Sequence, residues 1–342
     1  MLTVVSSFEE LKRIESELIS FYESLEVKYF LSPNYCIKAY ELFQVSDNSS
    51  SIYFIIKKNR NIIVGYIPLF INAKGVLKFV YDKHTDFLSE VGNQFDFNDY
   101  KKISDEITKN SYIKKIDLDN LHSDAKILHF FRHFFTKGCS VHSYNNHSFL
   151  TTEEDGGLLK HLSSSNRSEL KRICKKTSSS TFKVFTSPEP FPKKEIEILI
   201  TKMINNGSRE NNFLDKNTLS LLIFLFEKKE MEIFTKSLDS NLVSASFVLK
   251  NNCGKRMVWL DLYDDIQYIN LSSYIEYINY LNAKCIKYIN FGRGSYDYKA
   301  KNFKPNCENL YNLRYSKSKW DFFFINYYPI KEFIKRIVKN KK

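Results

Sequence analysis

Six cysteines are spread over 342 residues: Cys36, Cys139, Cys174, Cys253, Cys285 and Cys307. No two lie at metal-ligand spacing and none forms a Cys-x-x-Cys pair, which excludes a thiolate metal centre and a dithiol redox motif. Scattered thiols in a chain this long fit a reducing compartment. Long apolar runs are also missing. The longest, such as residues 62–71, are strand length and too short to span a bilayer. Met1-Leu2-Thr3-Val4-Val5 runs into acidic and polar sequence by Glu9, without the basic start and apolar core of a signal peptide, so the expected location is cytoplasmic. None of the seven histidines has an Asp, Ser or Cys partner in a nucleophile motif, and His142 and His147 lack zinc-site spacing. Sustained heptads and recognised nucleic-acid-binding motifs are absent too.

What is present is a globular composition. The hydrophobic fraction of 43% and charged fraction of 26% support a sizeable core, and the length suits two domains. Phe and Tyr are abundant, but Lys, Asn and Ile are abundant beside them, so a coding bias accounts for the aromatics. The net charge of +12 favours anionic partners such as phosphorylated substrates, nucleic acid or an acidic membrane face. Lysines are distributed along the chain, which fits a solvated basic surface as well and argues against a nucleic-acid-binding arm.

Periodicity supplies the organisation. Leu11, Ile14, Leu18, Phe21 and Leu25 mark an amphipathic helix over residues 7–25, and Ser32-Pro33 opens a second helix. Strands are expected over 52–57 and 62–70, joined at Asn59-Arg60-Asn61, then at 76–81 and 114–118. Helices are expected over 100–108 and 125–135. After an acidic, Gly-containing stretch at 151–157 comes the densest basic helix, 158–177, carrying Arg167, Lys171, Arg172, Lys175 and Lys176. Strands at 232–238 and 243–249 pair across Asp239-Ser240-Asn241, followed by a strand at 257–263, a helix at 272–283 and a strand at 286–291. The pattern predicts an α/β protein with mixed sheets flanked by helices: one domain over 1–150, a second over 151–329, and a basic amphipathic helix at 330–342. That tail suits docking on the protein's own body or peripheral membrane contact.

Residues 244–303 hold the informative motifs: Ser244-Ala245-Ser246-Phe247, Leu260-Asp261-Leu262-Tyr263-Asp264, Asn270-Leu271-Ser272-Ser273, Asn290-Phe291-Gly292-Arg293-Gly294, and Tyr298-Lys299. In order, they resemble the tandem GNAT-like acyltransferases of cellulose and surface-polysaccharide synthesis, which are relatives of the Fem-type peptidyltransferases. Leu31-Ser32-Pro33, Val64-Gly65-Tyr66-Ile67-Pro68-Leu69, Asp86 and the segment from His161 to Arg172 match earlier elements of that pattern. Departures are the missing Gly at 270–273, Asn290 in place of Asp, and Ser295 in place of Asp.

The resemblance implies two tandem GNAT-like domains, the first on the acceptor side without a cofactor and the second holding acetyl-CoA or another acyl-CoA, with no metal. It implies acyl transfer to an amine or hydroxyl of a nucleotide sugar or polysaccharide precursor, with no stable nucleic-acid partner. A helix N-terminus beside a splayed strand offers amides to a pyrophosphate, which gives Asn270, Leu271, Ser272 and Ser273 as donor-binding residues, with Ser272 and Ser273 also suited to cap the helix. Arg293 and Lys299 are candidates for pairing phosphates. Asp264 is the first candidate base, with Asp261 behind it, and Tyr298 is the candidate acid for the leaving thiolate. Asp86, Arg167 and Tyr263 are the candidate acceptor contacts. Two other readings stay open: a Fem-like transferase using charged tRNA, and a non-catalytic protein on the same fold, which the missing Gly and Asp residues favour.

Overall fold

A computed structural model describes residues 1–25, 31–44, 50–80, 88–152, 157–210, 213–293, 297–318, 320–327, 329–331 and 334. Asp86 and most of the expected C-terminal helix at 330–342 lie outside the described residues. The chain begins β1 (Leu2–Val5), α1 (Phe8–Arg13), α2 (Glu15–Glu23), α3 (Pro33–Phe43), β2 (Ser51–Asn59), β3 (Ile62–Ile71), β4 (Val76–Phe79), α4 (Phe97–Lys109), β5 (Lys115–His122), α5 (Lys126–Phe134) and β6 (Cys139–Thr151). It continues α6 (Ser164–Lys176), β7 (Thr181–Thr186), α7 (Lys193–Asn205), α8 (Lys216–Glu227), β8 (Met231–Leu238), β9 (Asn241–Lys250) and β10 (Arg256–Tyr263). It closes with α9 (Ile269–Ala283), β11 (Tyr288–Arg293), α10 (Asp297–Phe303), β12 (Asn306–Ser316) and α11 (Phe322–Ile325).

Two compact units are formed, one from residues 1–146 and 308–342, the other from 147–307. The chain therefore returns to the first unit at Glu308, where the sequence suggested continuation of the second domain to 329. In the first unit the strand order is β1-β2-β3-β4-β5-β12. All neighbours are antiparallel except β4 and β5, which are parallel across the α4 crossover. In the second unit the order is β7-β8-β9-β10-β11-β6, again antiparallel throughout except for parallel β10 and β11 across α9. Both are mixed sheets with the same directions in the same order.

The repeat extends to single residues. The β2–β3 hairpin turns at Arg60 and Asn61, both at positive φ (48° and 68°), and the β8–β9 hairpin turns at Asp239 and Ser240 (49° and 64°). Two successive left-handed residues match the right-handed twist of the strands they join. On the outgoing arm Lys57 faces Gly65 and Lys58 faces Ile63, so Val64 bulges. Lys236 faces Ser244 and Ser237 faces Leu242, so Val243 bulges at the same place. Each lysine then reaches the first turns of its crossover helix. Lys57 binds the Asp96 and Asp99 carboxylates, and the fully buried Lys236 donates to Ser272 Oγ at 2.9 Å and pairs with Glu276 at 3.0 Å.

Alternation along β9 explains the layers of the second unit. Val248 joins a buried cluster with Leu170 and Ile173 of α6 and Tyr274, Tyr277, Ile278 and Leu281 of α9. Its neighbour Phe247 points to the opposite face, as successive strand residues must, toward the Phe191 ring, which also meets Phe226 of α8. The sheet is therefore covered on both faces, which is why β9 is buried almost throughout. Among the described residues, no helix is long and apolar enough to cross a membrane.

Candidate active site

The parallel pair at the centre of the second unit is short. β10 and β11 are in register only at Arg256–Ile289 and Met257–Asn290. β10 shifts register between Val258 and Leu260 yet stays paired with β9 to Tyr263, so the strand beyond Met257 leaves β11 and not β9. Gly292 marks the point of divergence. Its φ is +78°, and a Cβ there would lie 2.7 Å from the Val258 carbonyl oxygen, so no larger residue fits. The Phe291 carbonyl is taken by Lys299 Nζ at 2.6 Å, a side chain standing where a ladder partner is missing.

β10 then passes through residues 264–268 into α9. Sequence reasoning started this helix at Ser272, but it begins at Ile269, with Tyr268 as the N-cap residue at φ 67° and no side-chain cap. Ser272 and Ser273 are therefore inside the helix and fully buried. Both hydroxyls donate to the Ile269 carbonyl at 2.9 Å, and neither side chain lines the cleft. The Ile269 amide turns back to Ile266 and the Ser272 amide to Tyr268. The amides of Asn270 and Leu271, between them, have no acceptor among the described residues. The buried Asn270 Oδ1 also has no partner there. These unmet groups border a cleft of about 590 Å³.

The cleft walls come from α6 (Glu169, Ile173), residues 263–268, Asn270 and Leu271 of α9, and α10 (Tyr298, Lys301, Asn302). Its carboxylates are largely matched. Asp264 is buried; it accepts from Lys202 with one oxygen and from the Asp265 amide at 3.0 Å with the other. Glu169 holds Arg172 bidentately at 2.7 and 2.5 Å, and this pair lowers the Glu169 carboxyl below its usual value. Lys176 Nζ sits 5.0 Å from the Tyr268 ring centroid. Lys301 in the cleft lining and Lys176 over the Tyr268 ring leave cationic groups on this side of the helix end, a setting suited to an anion.

Behind the cleft wall lies a polar layer in which Tyr274 and Ser246 are buried and Asp261 is half-buried. The Tyr274 hydroxyl donates to Asp261 Oδ2 at 2.6 Å, and Ser246 Oγ donates to Asp261 Oδ1 at 2.7 Å. Tyr274 is fully buried, and its ring meets that of Tyr298 edge-on at 6.5 Å. Burial raises the Tyr274 hydroxyl well above its ordinary range, and the Asp261 charge and the neighbouring Tyr298 hydroxyl add to this. Burial lowers the Lys299 ammonium, partly offset by Asp261. Asn290 stands where the resembling family has Asp. Its amide nitrogen meets His147 Nδ1 at 2.8 Å while its oxygen accepts from the Gly292 amide at 2.9 Å.

Of the residues singled out in the sequence, Tyr263, Asp264, Asn270, Leu271 and Tyr298 line one cleft, and Asp261 and Lys299 lie in the layer behind it. Arg167 is exposed and braces its own loop, donating to the Lys160 and Leu162 carbonyls at 3.0 and 2.7 Å. Arg293 is exposed at the end of β11 and is not part of the cleft lining. Sequence reasoning missed Lys202, Tyr268, Tyr274 and Lys301. The α10 helix that carries Lys301 gave no periodic signal, Lys202 is 62 positions from Asp264, and Tyr268 and Tyr274 sit beside the motifs but look like ordinary aromatics.

The corresponding place in the first unit is built differently. There the segment after β4 is paired on both sides: Val91 with Tyr66 of β3, by two hydrogen bonds of 2.9 and 2.8 Å, and Leu88 with β5 near Leu121. The crossover helix α4 carries a capping box in which Asp96 accepts from the Asp99 amide and Asp99 from the Asp96 amide. A carboxylate occupies the helix end that α9 leaves open.

No family model and no curated protein sequence matches this chain. Solved structures do match. A DUF2156 domain, the C-terminal part of a candidate lysylphosphatidylglycerol synthetase from Agrobacterium fabrum, superposes with a TM-score of 0.58 at 11% identity, over 91% of this chain and 93% of that one. L-PGS from Bacillus licheniformis gives 0.57 at 12% identity, over 97% and 96%. FemX gives 0.58 at 11% identity, over 87% and 95%. These neighbours are GNAT-fold proteins, and the mixed α/β architecture is the likeness they share with this chain.

Proposed function

We propose that the second unit is an acyltransferase that takes an acyl group, acetyl in the simplest case, from acyl-CoA to an amine or hydroxyl of a sugar or surface-polysaccharide precursor. One contrast carries the reading. The β10–β11 gap and the α9 amides are open, while their counterparts in the first unit are zipped and carboxylate-capped. An open helix end with Lys301 in the cleft lining and Lys176 over the Tyr268 ring suits a pyrophosphate, and the freed edge of β10 suits an extended pantetheine arm whose thioester oxygen gains a hydrogen bond as charge develops on it. The first unit serves the acceptor side. Attack on the thioester is direct: among the described residues, the cleft lining includes no cysteine, serine or histidine. With both its oxygens engaged, Asp264 orders the 264–268 loop, and Asp261 and Tyr298 are the groups that handle protons.

A second reading has an observation of its own. FemX and lysylphosphatidylglycerol synthetase share the fold at TM-scores above 0.5, which favours an aminoacyl-tRNA as the donor. Thermal unfolding separates the two. Acetyl-CoA at about a hundred times its Kd stabilises a binding-competent fold by about 2.7 kcal/mol, visible as a rise in Tm. A rise with acetyl-CoA supports the first reading. A rise only with charged tRNA supports the second, and none with either leaves a non-catalytic protein.

A further inference from the structure

The cleft touches one end of a chain of side chains that runs through the buried Tyr274 to the half-buried Asp261. Tyr298 lines the cleft, the Tyr274 ring meets it edge-on behind the wall, and Tyr274 donates to Asp261 at 2.6 Å. Tyr274 is sealed from solvent, packed among Phe234, Phe291 and Phe303. Its single hydrogen is committed to Asp261, which leaves its oxygen as the acceptor facing Tyr298. The other Asp261 oxygen is held by Ser246 at 2.7 Å, and the Lys299 ammonium lies close enough to act on the carboxylate. Asp264, next in line at this end of β10, is held by Lys202 and the Asp265 amide.

We propose that Tyr298, Tyr274 and Asp261 form one proton conduit from the cleft to the half-buried Asp261 carboxylate, with Tyr274 as the positioning residue that joins the other two. The inference rests on the acyltransferase reading. As the acceptor nitrogen or oxygen bonds to the acyl carbon, its proton passes to the Tyr298 oxygen. The Tyr298 proton passes to Tyr274, and the Tyr274 proton to Asp261 Oδ2. The electron pair of the breaking carbon–sulfur bond stays on sulfur. The proton held by Asp261 then returns along the same path and leaves as the hydrogen of the product thiol. The net change is one acyl group from sulfur to acceptor and one proton from acceptor to sulfur, with no other reactant.

The test uses the full chain, wild type and Tyr274→Phe, with Asp261→Asn as a second variant. Tyr274→Phe keeps the buried ring and removes only the hydroxyl. With ring-¹³C-tyrosine labelling, the Tyr298 signal is identified by its loss in Tyr298→Phe, and it should move in Tyr274→Phe although Tyr298 is unchanged. Thiol release from acetyl-CoA with glucosamine as acceptor should fall about tenfold to a hundredfold in kcat in both variants, with the KM for acetyl-CoA unchanged and the Tm of Tyr274→Phe within a few degrees of wild type. A Tyr298 signal that stays in place, or a Tyr274→Phe enzyme that turns over like an active wild type, overturns the conduit alone. A wild type with no thiol release overturns the acyl-CoA reading, and the conduit with it.

Discussion

Gly292 stands where β11 presses closest to β10 before the two part. Its positive φ and the 2.7 Å approach of the Val258 carbonyl act together, so any side chain meets both backbone strain and backbone overlap. Gly292→Ala should destabilise the chain by about 2 kcal/mol or more in urea unfolding, whereas Gly254→Ala, at positive φ in open space, should cost no more than about 1 kcal/mol. Equal losses would refute the overlap. Gly292 was legible in the sequence because a Gly-containing turn after an apolar strand is a local signal. Asn290 was visible only as a departure, because its reason is a histidine 143 positions away in sequence. Lys202 and Tyr274 were not legible at all: one reaches Asp264 from a different helix, and the other looks like an ordinary core residue until its hydroxyl is seen on Asp261.

Elements were easier to read than their ends. The hairpins at 59–61 and 239–241 were expected and found, because turn residues between β-rich runs carry their own geometry. The start of α9 was misplaced by three residues because Ser272 and Ser273 look like caps, yet both hydroxyls serve the Ile269 carbonyl within the first turn. That error bears on function. A helix capped at Ser272 has its amides satisfied, and a helix that begins uncapped at Ile269 does not. The comparison with α4 gives the prediction for this scale. Tyr268→Asp places at the α9 terminus the charge that Asp96 supplies to α4, and Asp tolerates a left-handed backbone. The variant should hold or raise its Tm while losing about tenfold or more in acetyl-CoA affinity by calorimetry. Unchanged affinity would remove the helix end from the donor site.

Across the whole molecule, the repeated strand order, the twin hairpins and the paired bulges at Val64 and Val243 describe one plan used twice. The sequence hinted at two related halves but did not show their register, which is carried by backbone pairing between residues with little likeness in type. The two units then diverge at one place, where residues 88–91 fill in the first what stays open in the second. The most direct test of that divergence is a ¹⁵N–¹H NMR titration of the full chain with acetyl-CoA, following backbone amides. The account predicts saturable shifts at Asn270 and Leu271 and none at Phe97 and Asn98 of α4. Silence at Asn270 and Leu271 up to millimolar acetyl-CoA, or shifts at α4 in their place, would contradict it.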